Sequence, residues 1–182
     1  MDIKTRAGKI KLMIFDVDGV LTNGQIIFGR DGEAMKEFHA QDGLGISVAH
    51  KAGLKTAIIT GRESDMVRLR GAELKIADVY QGAMSKVAAL AELAGKYNLD
   101  LVEICYVGDD LIDLPVMVQV GLACAVANAV PEVKANAHYT ATQCGGNGAV
   151  REIIELVLKA QGKWNDIIAD YTQATISIET KQ

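Results

Sequence analysis

Apolar and polar positions along the chain fall into two rhythms. Short apolar runs rich in β-branched residues occur at Ile10–Phe15, Thr56–Ile59, Ile104–Val107 and Leu122–Val126, each bounded by Gly, Asp or Thr. Runs that are apolar at every position predict strands covered on both faces, as in a largely parallel sheet. Ile76–Tyr80 predicts one more short strand. Between the runs, Met84–Tyr97 repeats Ala, Leu and Val at i, i+3 and i+4, the spacing of an amphipathic helix. Leu44–Ala52, Ser64–Leu74, Leu111–Val120 and Gly148–Ala160 predict further helices, with Asn147 as the cap of the last. Strand and helix alternate, which predicts an α/β fold with a doubly wound parallel sheet.

One segment breaks the alternation. Gly24–His39 holds two extended pieces around GRDG, and Asp31-Gly32 is a hairpin turn signal. A β-hairpin projecting from the sheet is expected there. After residue 161 the pattern weakens, although WNDIIADY predicts a short helix. The expected organisation is a single domain over 1–161 and a C-terminal tail over 162–182, with no repeat or linker inside.

Composition narrows the function classes. The chain has 182 residues, 49% of them hydrophobic and 23% charged, which suits one globular core. A net charge of -4 and no Lys/Arg block argue against nucleic acid as a partner. No apolar stretch approaches the ~20 residues of a membrane span, and the charged N-terminus has no signal-peptide core. Cys105, Cys124 and Cys144 are odd in number and form no CxxC pair, so reduced thiols in the cytoplasm are expected.

The ends of the predicted strands carry the chemistry. Lys11–Phe15 stops abruptly at Asp16, with Asp18 two positions on and Gly19 behind it. In open α/β sheets, ligands bind outside the carboxyl ends of the strands. Two carboxylates crowded there repel unless a cation relieves them. Thr56–Ile59 runs into Thr60-Gly61-Arg62, a hydroxyl, a bendable backbone and a guanidinium suited to phosphate oxygens. Ile104–Val107 runs into Gly108-Asp109-Asp110, with Asp113 a turn later. Hard oxygen ligands of this kind suit Mg²⁺. Lys86 opens the long helix, where its ammonium offsets the carboxylates and faces a phosphate.

Taken in order, DVDGVLT, TGR, Lys86 and GDDLID resemble the four motifs of the haloacid dehalogenase-like hydrolases, over Lys11 to about Val126. The resemblance implies a doubly wound sheet and Mg²⁺-dependent hydrolysis of phosphate esters through an aspartyl-phosphate. It implies Asp16 as nucleophile and Asp18 as acid and then base, its backbone carbonyl also touching the metal. Thr60 and the Gly61 amide would hold the phosphoryl group, and Lys86 would neutralise charge beside Asp16. Asp109 would bind the metal, with Asp110 and Asp113 holding its waters.

The intervals Gly19–Asp42 and Thr60–Lys86 leave no room for a cap domain, so the site is expected to be open. IKLMIFDVDGVLTNGQI, FHAQDGLGI, ITGRES with Arg70 downstream, VYQG, GDDLIDLPVM and GNGAVREIIELVL look like the capless 3-deoxy-D-manno-octulosonate 8-phosphate phosphatases. That likeness implies a homotetramer packed through its hairpins, a tail that reaches a neighbour's site, and a sugar acid phosphate as substrate. Arg62 and Arg70, at i and i+8, would bind the sugar acid from one face of a helix. The tail is longer than the resemblance implies, and Glu63 follows Arg62. A nine-carbon 2-keto sugar acid 9-phosphate is the competing substrate; a basic residue near position 74 would favour it, and Leu74 stands there. A non-enzymatic phospho-acceptor receiver domain shares the sheet, Asp, Lys and Mg²⁺, but lacks an equivalent of Asp18.

Overall fold

The computed structural model describes residues 1–173. In chain order, α1 is Ile3–Ala7, β1 is Leu12–Phe15, β2 is Ile27–Gly29, β3 is Gly32–Met35 and α2 is Ala40–Lys51. Then come β4 at Lys55–Ile59, α3 at Asp65–Glu73, β5 at Asp78–Tyr80, α4 at Lys86–Tyr97 and β6 at Ile104–Gly108. The chain continues with α5 at Leu114–Met117, β7 at Leu122–Ala125, α6 at Pro131–Asn136, β8 at Tyr139–Thr140, α7 at Ala149–Ala160 and α8 at Trp164–Gln173.

Six strands form one sheet in the order β5-β4-β1-β6-β7-β8, and every pairing is parallel. The chain starts in the middle, fills one side through β4 and β5, and crosses back along α4 to fill the other. The reversal falls between β1 and β6, where such sheets place their ligands. All residues of β1, β6 and β7 are buried, as their unbroken apolar runs require. Helices α1, α2 and α7 pack together on one side, and α4, α5 and α6 form a second group.

β2 and β3 pair antiparallel in a separate two-stranded sheet, the expected hairpin. Its turn is Arg30-Asp31 rather than Asp31-Gly32: Gly29 pairs with Gly32, and Gly32 opens β3. Between β1 and α4 the described chain carries this hairpin, two helices and two sheet strands, with no inserted cap domain.

Three expected elements differ in detail. α2 begins at Ala40 rather than Leu44, because Gly43 and Gly45 interrupt its apolar spacing without interrupting the helix. Leu111–Val120 is not one helix: Asp110 caps a 3₁₀ turn at Leu111–Asp113, and Pro115 opens the short α5. Asn147 does not cap α7. The N-cap is Gly148, and the buried Asp42 of α2 accepts from the amides of Gly148 (3.3 Å) and Arg151 (2.8 Å). A carboxylate from a neighbouring helix thus satisfies the orphan donors.

The predicted tail helix is α8. Trp164 and Ile167 pack on the core, and Trp164 lies beneath the Arg151 guanidinium, 5.3 Å from its ring centroid. Residues 174–182, the rest of the expected neighbour-reaching tail, lie outside the described residues. Cys105 and Cys124 are buried with sulfurs 3.9 Å apart, Cys144 is exposed, and all three are free. No helix among the described residues is long and apolar enough to cross a membrane.

Candidate active site

The carboxyl ends of β1, β4 and β6 lie side by side, and each delivers a motif to the same crevice. Asp16 follows β1 directly, and its amide donates to Val107 O of β6 at 3.1 Å. The chain then turns tightly: the Val17 carbonyl accepts from the amides of Val20, Leu21 and Thr22. Gly19 sits in this turn at φ +95°, and a Cβ there would fall 2.0 Å from Asp109 Oδ2. Backbone geometry and close approach both demand glycine.

Lys86, the first residue of α4, reaches back into the crevice with its side chain 5% exposed. Its Nζ lies 3.0 Å from Asp16 Oδ1 and 2.7 Å from Asp113 Oδ1. Asp113 is fully buried. Its Oδ1 also accepts from the Tyr106 hydroxyl at 2.6 Å, and its Oδ2 from the Asp109 amide at 2.9 Å and the Asp110 amide at 3.3 Å. Asp16, Asp109 and Asp113 bring one carboxylate oxygen each within 4.8 Å of one another.

Three carboxylates therefore face one ammonium. Burial, then the Asp113 charge, push Asp16 up to about 7 against the pull of Lys86. Burial, then Asp16, Asp113 and Asp110, raise Asp109 to about 7. Burial alone would depress Lys86, but Asp16 and Asp113 outweigh it and hold the ammonium above its ordinary value. Asp109 Oδ1 is buried with no hydrogen-bond partner. Unbalanced negative charge and an orphaned hard oxygen fit a divalent cation such as Mg²⁺.

Thr60 is buried at the end of β4, its amide on Tyr80 O and its carbonyl accepting from Ala83 N. Gly61 lines a cavity of about 400 Å³ with Ala83, Ser85, Lys86, Ile112 and Pro115. A larger hollow of about 540 Å³ lies around Lys11, Glu103 and Gln161, at the opposite ends of the strands. Lys11 and Glu103 already pair there, so the smaller cavity is the one that belongs to this chemistry.

Other expected residues sit differently. Arg62 is not on a helix with Arg70, because α3 begins at Asp65. Arg62 lies in the preceding loop, its Nε 3.8 Å from Asp18 Oδ2. Arg70 points along α3 to Glu73 at 2.9 Å and over the Phe38 ring, so the two guanidiniums do not share one face. The Asp110 side chain caps Leu111 N at 2.7 Å.

Two contacts are not marked by any motif in the sequence. Tyr106 lies mid-strand, where the only available signal is a phenol inside an otherwise apolar run. Lys36, just past β3, pairs with Asp18 Oδ1 and, at 3.0 Å, with Glu33 Oε1. Nothing local to its sequence marks it, because the pairing depends on how the hairpin folds back.

Comparison with known proteins agrees with this geometry. Residues 70–154 match the family model described as haloacid dehalogenase-like hydrolase. The chain is 46% identical over 165 residues to the 3-deoxy-D-manno-octulosonate 8-phosphate phosphatase of Escherichia coli strain B, covering 91% of this chain and 88% of that protein. The chain belongs to that phosphatase family. A solved family member from Moraxella catarrhalis, in complex with magnesium, phosphate and 3-deoxy-D-manno-octulosonate (KDO), superposes with TM-score 0.90 at 43% identity, covering 93% of this chain and 97% of the other. A probable YrbI family phosphatase from Pseudomonas syringae superposes with TM-score 0.93 at 42% identity, covering 96% and 99%. The haloacid dehalogenase-like fold expected from the motifs is borne out.

Proposed function

We propose that the chain is a Mg²⁺-dependent phosphomonoesterase that hydrolyses 3-deoxy-D-manno-octulosonate 8-phosphate, a step in making the sugar acid of lipopolysaccharide. The observation that carries the reading is the buried Asp16–Lys86 pair at 3.0 Å beside the orphaned Asp109 oxygen. This is a nucleophile with its countercharge next to a cation-shaped deficit. The named substrate rests on the 46% identity to the curated family member.

Asp16 attacks phosphorus and the P–O bond to the sugar breaks. The bond's electron pair goes to the leaving oxygen, which takes a proton from Asp18. Water then attacks the Asp16 phosphoryl group and gives its proton to Asp18. The aspartyl–phosphate bond breaks back to the Asp16 carboxylate, and inorganic phosphate departs. Thr60 and the Gly61 amide hold the phosphoryl oxygens, and Lys86 offsets their charge. Asp16, the Asp18 carbonyl and Asp109 would hold Mg²⁺, with Asp110 and Asp113 orienting its waters, and the cation would further stabilise the spread negative charge. Arg62 and Arg70 bind the sugar acid from separate elements.

An open site needs cover. Exposed Phe28 and Met35 make the hairpin an apolar projection, which suits a homotetramer packed through hairpins. Residues 1–161 act as the single catalytic domain. Free thiols at Cys105, Cys124 and Cys144 fit the reducing cytoplasm.

The test is phosphate release with Mg²⁺ from the eight-carbon and nine-carbon keto-sugar-acid phosphates, hexose phosphates and an aryl phosphate. Preference for the eight-carbon acid is expected, and Asp16→Asn abolishes turnover with the fold retained. Preference for the nine-carbon acid, or equal slow rates on all esters, would overturn the named substrate. Stable phosphorylation of Asp16 without turnover would indicate a receiver.

A further inference from the structure

The hairpin is tied into the crevice by a chain of charges. The Ser64 hydroxyl, at the N-cap of α3, donates to Glu33 Oε2 on β3. Glu33 Oε1 lies 3.0 Å from Lys36 Nζ. The same ammonium contacts Asp18 Oδ1, and Arg62 Nε stands 3.8 Å from Asp18 Oδ2. Burial works against ionisation of Glu33, but Ser64 and Lys36 outweigh it and hold the carboxyl below its ordinary value. Lys36 has a side chain only 1% exposed, so this is no solvated surface lysine. A buried ammonium needs partners, and here the two partners lie on the hairpin and on the catalytic loop.

We infer that Lys36 is a positioning residue that aims the Asp18 carboxylate at the water attacking the Asp16 phosphoryl group. The inference rests on the phosphatase reading above. A free aspartate side chain rotates among staggered wells. With Lys36 on one oxygen and Arg62 near the other, Asp18 is held in one orientation. Its role in the second half-reaction is to accept the proton of water as the O–P bond forms and the Asp16–phosphate bond breaks. A misplacement of about 1 Å in such a group costs on the order of 10²-fold in rate. The hairpin thereby contributes to hydrolysis from within its own chain, in addition to any contact with a neighbour.

The experiment is rapid-mixing hydrolysis of p-nitrophenyl phosphate with Mg²⁺ by wild type, Lys36→Met and Lys36→Arg. The first turnover reports phosphorylation of Asp16, and the steady state reports its hydrolysis. In Lys36→Met the first nitrophenolate is expected at about the wild-type rate, while steady turnover falls roughly 10- to 100-fold and trapped phosphoenzyme rises. Lys36→Arg, which keeps a cation for Asp18, is expected to recover most of the steady rate. Equal losses in both phases would reduce Lys36 to a structural anchor, and unchanged turnover would remove any role; either overturns the inference. Wild type releasing no nitrophenolate would instead overturn the phosphatase reading, so the two failures are distinct.

Discussion

The ammonium of Lys86 lies 2.7 Å from Asp113 Oδ1, closer than its 3.0 Å contact with Asp16. Asp113 is the residue that holds Lys86 in place. Its two oxygens meet only donors: Lys86 and the Tyr106 hydroxyl on one, the Asp109 and Asp110 amides on the other. Asp113→Asn would turn an NH₂ toward one of those donor pairs and leave a buried charge short of a partner. Breaking such a buried pair costs about 3 kcal/mol or more. Thermal unfolding should show that loss, and turnover should fall together with it. An unchanged Tm would mean that Asp113 does not anchor the network.

Gly145 abuts the Asp16–Thr22 turn from the far side. A Cβ there would sit 1.6 Å from Gly19 O and 2.5 Å from Gly19 C. Both are backbone atoms, so no side chain can swing aside. The same loop is pinned by Gly145 N on Asn128 Oδ1 at 2.8 Å and Gly146 N on Val20 O at 2.9 Å. Gly145→Ala must therefore move the Asp16–Thr22 turn. Overpacking of this kind costs about 1–3 kcal/mol, and if Asp16 acts as proposed, its displacement by about 1 Å costs on the order of 10²-fold in kcat. Activity within threefold of wild type, at roughly the same Tm, would show that the loop is not a support.

What the sequence discloses here is set by range. Asp16, Thr60 and Asp109 were legible because an apolar strand that ends at a polar residue marks its own carboxyl end, and the strand ends converge in this sheet. Lys86 was legible as the opening residue of a strongly patterned helix. Asp113 was visible only as a nearby acid; its central place depends on the 3₁₀ turn before Pro115. Lys36 depends on the hairpin's direction, and the Asp42 cap of α7 joins residues more than a hundred positions apart. α1 and β8 are too short to show a period, and α1 is fixed instead by the Asp2 cap on Thr5 N at 2.9 Å. Arg62 and Arg70 were separated because α3 begins at Asp65, after its Ser64 N-cap, and leaves Arg62 in the preceding loop.

Glu152 gives a pH dependence that does not involve the active site. Its carboxylate accepts from the Tyr139 hydroxyl at 2.6 Å, the Thr142 amide at 2.9 Å and hydroxyl at 2.9 Å, and the Gln143 amide at 3.1 Å. Burial would raise this carboxyl, but those bonds outweigh it and hold it below its ordinary value of 4.5. A depressed folded value means that the contribution is full above the unfolded value and is lost as pH falls through the folded one. Glu152→Gln should cost about 2 kcal/mol near neutral pH. The gap between variant and wild type in denaturant unfolding should narrow as pH drops below 4.5. A gap independent of pH would assign the effect to shape rather than charge.

Asp109 separates the cost of the acidic cluster from its use. Burial, then Asp16 and Asp113, raise it to about 7, so the metal-free protein carries repulsion that a divalent cation relieves. Mg²⁺ should raise the Tm of wild type in a concentration-dependent way, and a chelator should reverse the rise and stop turnover. Asp109→Asn removes one of the mutually repelling charges. Its metal-free Tm should equal or exceed that of metal-free wild type, while the Mg²⁺-induced rise and turnover are both lost. The pairing matters, because a variant that was merely misfolded would melt lower in both conditions. A full Mg²⁺-induced rise in Asp109→Asn would place the cation elsewhere, and a lower metal-free Tm would show that Asp109 supports the fold rather than burdening it.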